Sequence, residues 1–438
     1  MKYYKVITYG CQMNEHESEK LSGMLENLGY KQTEDENLAS VIVFNTCCIR
    51  ENAERKAEGN IGALKKLKKN KKELIIAVGG CMAQQPKKAE YLKKKFPFID
   101  IIFGTHNLSD FEILLKKRID TGKKIIEISN DVYAMKECST IKRSTYPSAY
   151  VNVMYGCNNF CSYCIVPFVR GRERSRKIED IVLEVKSLVN SGYKEITLLG
   201  QNVDSYGKDL GEKTDFSLLL EEVAKIDGKF RIRFLSNHPK DINQKLANVI
   251  KKHDKICNSI HFPVQSGSTN VLSLMNRKYT REDYLKKIKM LRKTVKGIKI
   301  TTDIMVGFPK ETERDFKDTL SLVKKVKFDG AFTFVYSARS GTKAYDMDGH
   351  IDESVKKQRI VKLVNLQNDI NRKIAKKYLN KTLEILVDEY NEDQKIYIGR
   401  DEGGKVVHFD SPRNVVGEFL KVNITKANGI SLYGEIVL

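Results

Sequence analysis

Ala149-Tyr150-Val151-Asn152-Val153-Met154-Tyr155-Gly156-Cys157-Asn158-Asn159-Phe160-Cys161-Ser162-Tyr163-Cys164 is the stretch on which the reading of this chain turns. Residues 149–154 form a β-like run, and the loop that follows carries cysteines spaced Cys-x3-Cys-x2-Cys. Three thiolates this close on one loop suit three corners of an iron–sulfur cubane and leave one iron without a protein ligand. Structural zinc more often takes four protein ligands, commonly as two separated Cys-x2-Cys pairs. Cys161 and Cys164 alone would pass for a redox dithiol, but Cys157 argues against that.

Downstream, strand-like runs at 195–199, 230–235, 259–262, 298–304 and 331–335 follow the first at 149–154. Helical segments at 178–190, 282–295 and 311–326 separate most of them. In the first of these, Ile178, Ile181, Val182, Val185 and Val189 recur at helical spacing and Gly192 marks the stop. Six β/α units in a row imply a barrel or partial barrel, with functional residues at the strand C-termini. A long helical stretch over 352–378 closes the region. Beyond Lys381 come short β-like runs at 382–387, 395–399, 406–409, 418–424 and 431–437, with turns such as Glu402-Gly403-Gly404. These predict a small OB-like β-barrel, a shape often used to bind oligonucleotides.

Upstream, strands at 2–9, 41–44, 74–78, 99–103 and 125–128 alternate with helices at 15–28, 50–69, 84–95 and about 108–118. That alternation predicts a doubly wound parallel sheet. Cys11, Cys47 and Cys81 follow its first three strands, each beside turn-forming residues: Gly10, Asn45 and Gly79-Gly80. All three thiols therefore fall at the carboxyl edge, where open α/β sheets place ligands. Small buried thiols would also explain any one of them; three at equivalent positions favour a metal or cluster site.

The 438 residues carry 77 Lys and Arg against 56 Asp and Glu, a net charge of +21. Such an excess points to a polyanionic partner, nucleic acid above all; a lysine-rich proteome is the plainer source. With 41% apolar and 30% charged residues the chain is globular, not disordered. Residues 1–20 turn polar after Tyr9, and the longest uncharged run, 144–169, is interrupted by Pro147, Asn152, Asn158, Asn159 and Pro167. Neither suits a signal peptide or a membrane span, so a cytoplasmic protein is expected. Nine cysteines in that compartment suggest metal binding or chemistry before disulfides.

The Cys-x3-Cys-x2-Cys motif after a strand, with aromatic Tyr163 before the last cysteine, resembles the radical S-adenosylmethionine (SAM) enzymes. Within them the chain is similar to the methylthiotransferases over nearly its whole length. Thr8-Tyr9-Gly10-Cys11-Gln12-Met13-Asn14, Asn45-Thr46-Cys47 and Gly79-Gly80-Cys81 match the N-terminal domain of that family. Arg170-Gly171-Arg172, Leu199-Gly200-Gln201-Asn202-Val203, Ser236-Asn237-His238-Pro239, 262–268 and 303–309 match its radical domain. Tyr397-Ile398-Gly399-Arg400 and Val407-His408-Phe409 match its RNA-binding TRAM barrel.

This resemblance implies an N-terminal methylthiotransferase domain at 1–135, a radical SAM domain with a partial (β/α)6 barrel at 143–375, and a TRAM domain at 376–438. It implies two 4Fe-4S clusters, one on Cys157, Cys161 and Cys164 that binds SAM, and an auxiliary one on Cys11, Cys47 and Cys81. One SAM would donate a methyl group to sulfur, and a second would be cleaved reductively to the radical that activates an adenosine C2–H bond. Tyr163, Gln201, Asn202, Arg233, Ser236 and Gln265 are the candidate SAM contacts. The partners implied are tRNA, an electron donor such as flavodoxin or ferredoxin, and a sulfur source. Gln12-Met13-Asn14 resembles the branch that acts on isopentenylated adenosine beside the anticodon; the other tRNA branch acts on threonylcarbamoyl-adenosine. A non-catalytic RNA-binding protein with structural zinc is the rival from a different class.

Some residues depart from the pattern. Cys48 puts a fourth thiol beside the auxiliary set, as a bystander or a replacement ligand. Lys310 stands where the family often has glycine, while Cys138 and Cys257 match nothing and read as structural. Arg170, Arg172, Arg174 and Arg176 alternate, which in an extended segment gives one cationic face for phosphates or solvent. The lysines of 65–72 read as a solvated helix face.

Overall fold

The strands Val41–Thr46 and Ile75–Gly80 are buried along their whole length, as strands covered on both faces must be. They form the middle of a six-stranded sheet in a computed structural model that describes residues 1–48, 51–129, 140–211 and 213–437. The strands are β1 (Lys2–Thr8), β2 (Tyr30–Gln32), β3 (Val41–Thr46), β4 (Ile75–Gly80), β5 (Ile101–Phe103) and β6 (Ile125–Glu127). All pair in parallel, in the order β2-β1-β3-β4-β5-β6. Winding goes one way from β1 to β2 and the other way from β1 to β3, so the sheet is doubly wound with its switch point between β1 and β3. Helices Gln12–Asn27, Glu51–Asn70, Pro86–Lys95 and Phe111–Thr121 connect the strands. The edge strand β2 has one buried residue in three and is missing from the sequence-based assignment.

The chain divides into two units: 1–144 with 155–158 and 164–173, and 145–154 with 159–163 and 174–438. From residue 148 onward, β7 (Ser148–Asn152), the two-residue strands β8 (Met154–Tyr155) and β9 (Arg174–Ser175), β10 (Glu195–Leu199), β11 (Arg231–Phe234), β12 (Ser259–His261), β13 (Lys299–Val306) and β14 (Gly330–Val335) follow in order. Six of them make two parallel three-stranded sheets, β7-β10-β11 and β12-β13-β14. Between β11 and β12 a single bridge, Ile232 with Ile256, continues the run. One apolar core joins both sheets and their helices, including Ile181, Leu219, Ile260, Tyr284 and Leu363. Helices Phe216–Ala224 and Gln244–Lys252 were not predicted; Asp215 and Asn243 cap them by accepting from Leu218 N and Leu246 N.

After the helix Glu353–Ala375 come β15 (Thr382–Asn391), β16 (Ile396–Asp401), β17 (Val406–Phe409), β18 (Phe419–Asn428) and β19 (Ser431–Ile436). They close into a barrel in the order β15-β16-β17-β19-β18. The barrel is fixed to the preceding α/β region by buried charge. Glu195 Oε2 accepts from Arg233 Nη2 at 2.9 Å, and its Oε1 lies 3.1 Å from Arg400 Nη1. Arg400 also forks onto Asp388 at 2.7 Å. Burial would raise the Glu195 carboxyl, but Arg233 and Arg400 hold it down at about 2.

Two sequence readings change. Arg170 ends the short helix Val166–Arg170 and is buried, and Arg176 is half-buried with Nη1 on Asn152 O and Glu184 Oε2, both at 2.7 Å. The four arginines therefore do not share an extended face. Lys68 and Lys71 are anchored too: Lys68 pairs with Asp100 at 2.7 Å, and Lys71 donates to Ala39 O at 2.8 Å. Lys310 takes the left-handed conformation expected of glycine, at φ 66°, so the turn keeps its shape with a strained residue. Cys138 lies outside the described residues, whereas Cys257 is a free, buried thiol pushed up to about 11 by burial.

Candidate cluster and cofactor sites

β1, β3 and β4 are neighbours, so Cys11, Cys47 and Cys81 leave three adjacent strands at one edge, around the switch point. Cys11 is the N-cap of the helix Gln12–Asn27, and its Sγ lies 3.4 Å from Asn14 Oδ1. Asn14 is fully buried and ties the edge together. Its Nδ2 donates to Asn45 Oδ1 at 3.3 Å and to Thr46 O at 3.2 Å, while Asn45 Nδ2 returns a bond to Asn14 O at 2.8 Å. Cys81 N donates to Thr46 O at 2.9 Å. Two glycines make this approach possible. A Cβ on Gly10 (φ 134°) would stand 2.9 Å from the Cys47 Cβ, and one on Gly80 (φ 93°) would stand 2.4 Å from Thr46 O.

Arg170 supplies the cation here. Its guanidinium forks onto Glu17 at 2.5 and 3.0 Å and reaches Asn14 Oδ1 at 3.4 Å. Cys81 is lowered to about 7 by a hydrogen bond with Cys48 and by Arg170, against burial. Burial dominates at Cys11 and raises it, although Arg170 opposes. Cys48 is thus in hydrogen-bonding contact with Cys81, and sequence reasoning did not foresee that Arg170 would face these thiols.

In the first unit Cys157 is buried and its N donates to Gly171 O at 3.1 Å. Gly156, at φ 77°, leaves no room for a Cβ, which would stand 2.0 Å from Arg172 O. Cys164 is half-buried. In the second unit Cys161 is buried, with Arg277 Nη1 at 3.3 Å from its Sγ. The loop is held by Ser162 N on Met275 O at 3.1 Å, Ala344 N on Ser162 O at 2.7 Å, and Asn276 Nδ2 on Phe160 O at 2.9 Å. Tyr163 meets Phe308 edge-on, ring centres 6.5 Å apart.

No two of the eight described cysteines are joined in a disulfide. Among the described residues no three Cys, His, Asp or Glu side chains converge tightly enough for one metal ion. A cubane gives each thiolate its own iron and so spreads its ligands more widely than a single ion does. Thiols outside any disulfide with a buried arginine directed at them, Arg170 at Cys81 and Arg277 at Cys161, fit cluster ligation in their donor chemistry.

The strand C-termini of the half-barrel carry unpaired buried polar atoms. Asn152, the last residue of β7, is fully buried, and neither side-chain atom has a partner among the described residues. Asn202 donates to Asp241 Oδ2 at 2.9 Å, while its Oδ1 has no partner. Asn237 Oδ1 and His238 Nε2 are unpaired as well. Such atoms cost about 1–3 kcal/mol each when left bare, so this mouth suits a polar ligand. Beside them, burial pushes the Asp204 carboxyl up to about 7 against bonds from His238 N and Asn237 Nδ2. Gln201 lies just past β10; Ser236 and Gln265 both have φ 68° and lie in the loops that follow β11 and β12. Arg233 donates to Glu195 Oε2 at 2.9 Å, Ser259 Oγ at 2.9 Å and Glu402 O at 3.2 Å. Asn152 was missed because one asparagine at a strand end carries no motif of its own.

Known proteins match in the same three segments. The radical SAM superfamily matches residues 151–323, the uncharacterized protein family UPF0004 residues 3–104, and the TRAM domain residues 376–437. The tRNA-2-methylthio-N(6)-dimethylallyladenosine synthase of Clostridium tetani is 52% identical over 433 residues, which is 99% of this chain and 96% of the relative. The enzyme of the same name from Alkaliphilus oremlandii is 49% identical over 437 residues, 100% and 93% of the two chains. Among solved structures, the radical SAM methyltransferase TsrM of Kitasatospora setae, with tryptophan and a SAM analog bound, matches at TM-score 0.57. It is 13% identical over 76% of this chain and 73% of its own, and therefore supports the fold alone. No helix among the described residues is long and apolar enough to cross a membrane. With half of its residues shared along its entire length, the chain belongs to the tRNA-2-methylthio-N(6)-dimethylallyladenosine synthase family of radical SAM methylthiotransferases.

Proposed function

We propose that this methylthiotransferase adds a methylthio group to C2 of N6-isopentenyladenosine next to the anticodon of tRNA. The observation that carries this reading is the full-length identity to relatives named for that product. Cys157, Cys161 and Cys164 would hold a 4Fe-4S cluster that binds SAM, and Cys11, Cys47 and Cys81 an auxiliary one. Bound cluster and SAM together supply the one-electron reductive cleavage of a sulfonium. The chain's own residues prepare that chemistry. Asn152, Asn202, Asn237 and His238 offer unpaired polar atoms to SAM at the barrel mouth, with Tyr163, Gln201, Ser236 and Gln265 around them. Burial keeps His238 neutral, so its bare Nε2 is an uncharged partner. Arg170 keeps a cation beside the auxiliary thiols. The closed C-terminal barrel and the net charge of +21 serve tRNA binding. An electron donor such as flavodoxin or ferredoxin and a sulfur source complete the reaction, in the cytoplasm. We take the domain limits as 1–135, 143–375 and 376–438.

The isopentenyl group is the handle for selectivity. Its five carbons bury about 4 kcal/mol at roughly 0.8 kcal/mol per carbon, enough for on the order of several hundredfold discrimination against bare adenosine. Binding energy from this remote group can orient C2–H for reaction. The test is competition between matched anticodon stem-loops carrying isopentenyl, threonylcarbamoyl or no N6 substituent. The isopentenyl stem-loop should be methylthiolated fastest. Faster reaction of the threonylcarbamoyl substrate would assign the other tRNA branch, and a reconstituted protein with zinc and no SAM cleavage would leave only RNA binding.

A further inference from the structure

Five arginines are buried among the described residues: Arg170, Arg231, Arg233, Arg277 and Arg359. Four sit against a carboxylate: Arg170 on Glu17 at 2.5 Å, Arg231 on Glu384 at 3.5 Å, Arg233 on Glu195 at 2.9 Å and Arg359 on Glu311 at 2.8 Å. Arg277 is 4% exposed and has none among the described residues. Its Nε donates to Tyr279 Oη at 2.9 Å, its Nη2 to Pro263 O at 3.1 Å, and its Nη1 to Cys161 Sγ at 3.3 Å. Tyr279 turns its own proton to the backbone, on Val264 O at 3.0 Å and Pro263 O at 3.3 Å, and stays neutral, its hydroxyl raised by burial. Tyr279, Tyr163 and Cys161 face the guanidinium, and of these the cysteine is the cluster ligand, so it is the hydrogen-bonded partner that brings negative charge once iron binds. With a neutral thiol there, a guanidinium would be buried uncompensated, a cost that none of the other buried arginines among the described residues bears.

We propose that Arg277 is the built-in counter-charge of the Cys157–Cys161–Cys164 cluster and raises its reduction potential through the Cys161 sulfur. The proposal rests on the cluster reading above. A cubane on three thiolates is anionic and becomes more so when one electron arrives from the external donor. A fixed cation held on one of its sulfurs favours the reduced form, since net charge and hydrogen bonds to sulfur set such potentials. No bond forms or breaks at Arg277; the electron resides on the cluster, and the guanidinium stays protonated throughout.

The test isolates this cluster in protein carrying Cys11→Ala, Cys47→Ala and Cys81→Ala, reconstituted anaerobically without SAM. Redox titration followed by electron paramagnetic resonance then compares Arg277 with Arg277→Gln and Arg277→Lys. At a potential fixed on the parent's midpoint, Arg277→Gln should lower the reduced-to-oxidised ratio at least tenfold, 59 mV for a one-electron couple. Arg277→Lys, which keeps the charge and loses the fork, should fall in between. An iron-replete Arg277→Gln protein with a ratio within twofold of the parent overturns the proposal. Should the glutamine variant not fold, the parent itself decides. With 15N-arginine incorporated, the reduced cluster should show a 15N coupling by pulsed resonance, and its absence overturns the proposal. A parent with no iron at all would refute the cluster reading instead, which keeps the two failures apart.

Discussion

Cys11 and Cys81 lie 70 positions apart, whereas Cys157 and Cys164 are separated by seven. The first set exists only because β1, β3 and β4 are neighbours in a parallel sheet, so its arrangement is a property of the fold. The second is a property of one loop. Their arginines differ in the same sense. Arg170 comes with its own carboxylate, Glu17, and would be balanced with or without a cluster. Arg277 has no carboxylate and depends on the sulfur it touches. A site assembled by topology has to be stable before its cofactor arrives, whereas a loop site can leave part of its charge balance to the cofactor.

The largest effect separates the two sets outright. Alanine at Cys157, Cys161 and Cys164 should abolish reductive SAM cleavage and leave roughly half the iron. Alanine at Cys11, Cys47 and Cys81 should preserve SAM cleavage and eliminate methylthiolated product. Loss of all iron from either folded variant would break the comparison, since the sites would then not be separate.

Next comes the balanced arginine. Glu17→Gln strips Arg170 of its carboxylate inside the first unit and should cost about 3–5 kcal/mol in urea unfolding of metal-free protein. A loss under 1 kcal/mol would mean that the thiols alone can balance a buried arginine, and the contrast with Arg277 would vanish.

Glu195 sharpens the same point through pH. Its folded value of about 2 lies below the ordinary 4.5, so its stabilisation is present above about pH 4.5 and is lost as pH falls toward 2. Glu195→Gln should therefore be less stable than the parent by about 3 kcal/mol at pH 7, with the gap narrowing below pH 4.5. A gap that stays constant on acidification would show that the carboxylate charge is not what holds Arg233 and Arg400.

The smallest effect is expected at Cys48→Ser. A serine hydroxyl can replace the thiol in the bond to Cys81, so iron content and activity should stay within about twofold. Loss of about half the iron would make Cys48, not Cys47, the third auxiliary ligand.

Local pattern carried the reading far. Continuous apolar runs such as 41–44 and 74–78 mark strands buried on both faces, and helix 178–190 repeats its valines and isoleucines at helical spacing. The six motif cysteines stand out because each sits at a strand end or within a tight spacing. What the sequence hides is partner choice across long separations. Arg233 pairs with a carboxylate 38 positions earlier in the chain. Arg277 lies 116 positions from the thiol it touches, and Arg170 looked like one of four alternating surface arginines. Strand β2 has three residues and one buried side chain, too little pattern to notice.

The path of the chain between the units bears on how the protein is made. Residues 155–158 and 164–173 belong with 1–144, while 145–154 and 159–163 belong with the rest. On the ribosome, the N-terminal sheet can emerge whole with Glu17 already in the sequence, but Arg170, 153 residues later, has not been synthesised. Until it arrives the growing domain holds a carboxylate in its interior without its cation, and domains that fold as they are made pass through such unfinished states. A cut after residue 144 would therefore yield a fragment arrested at that stage, short of the stability that the finished unit has.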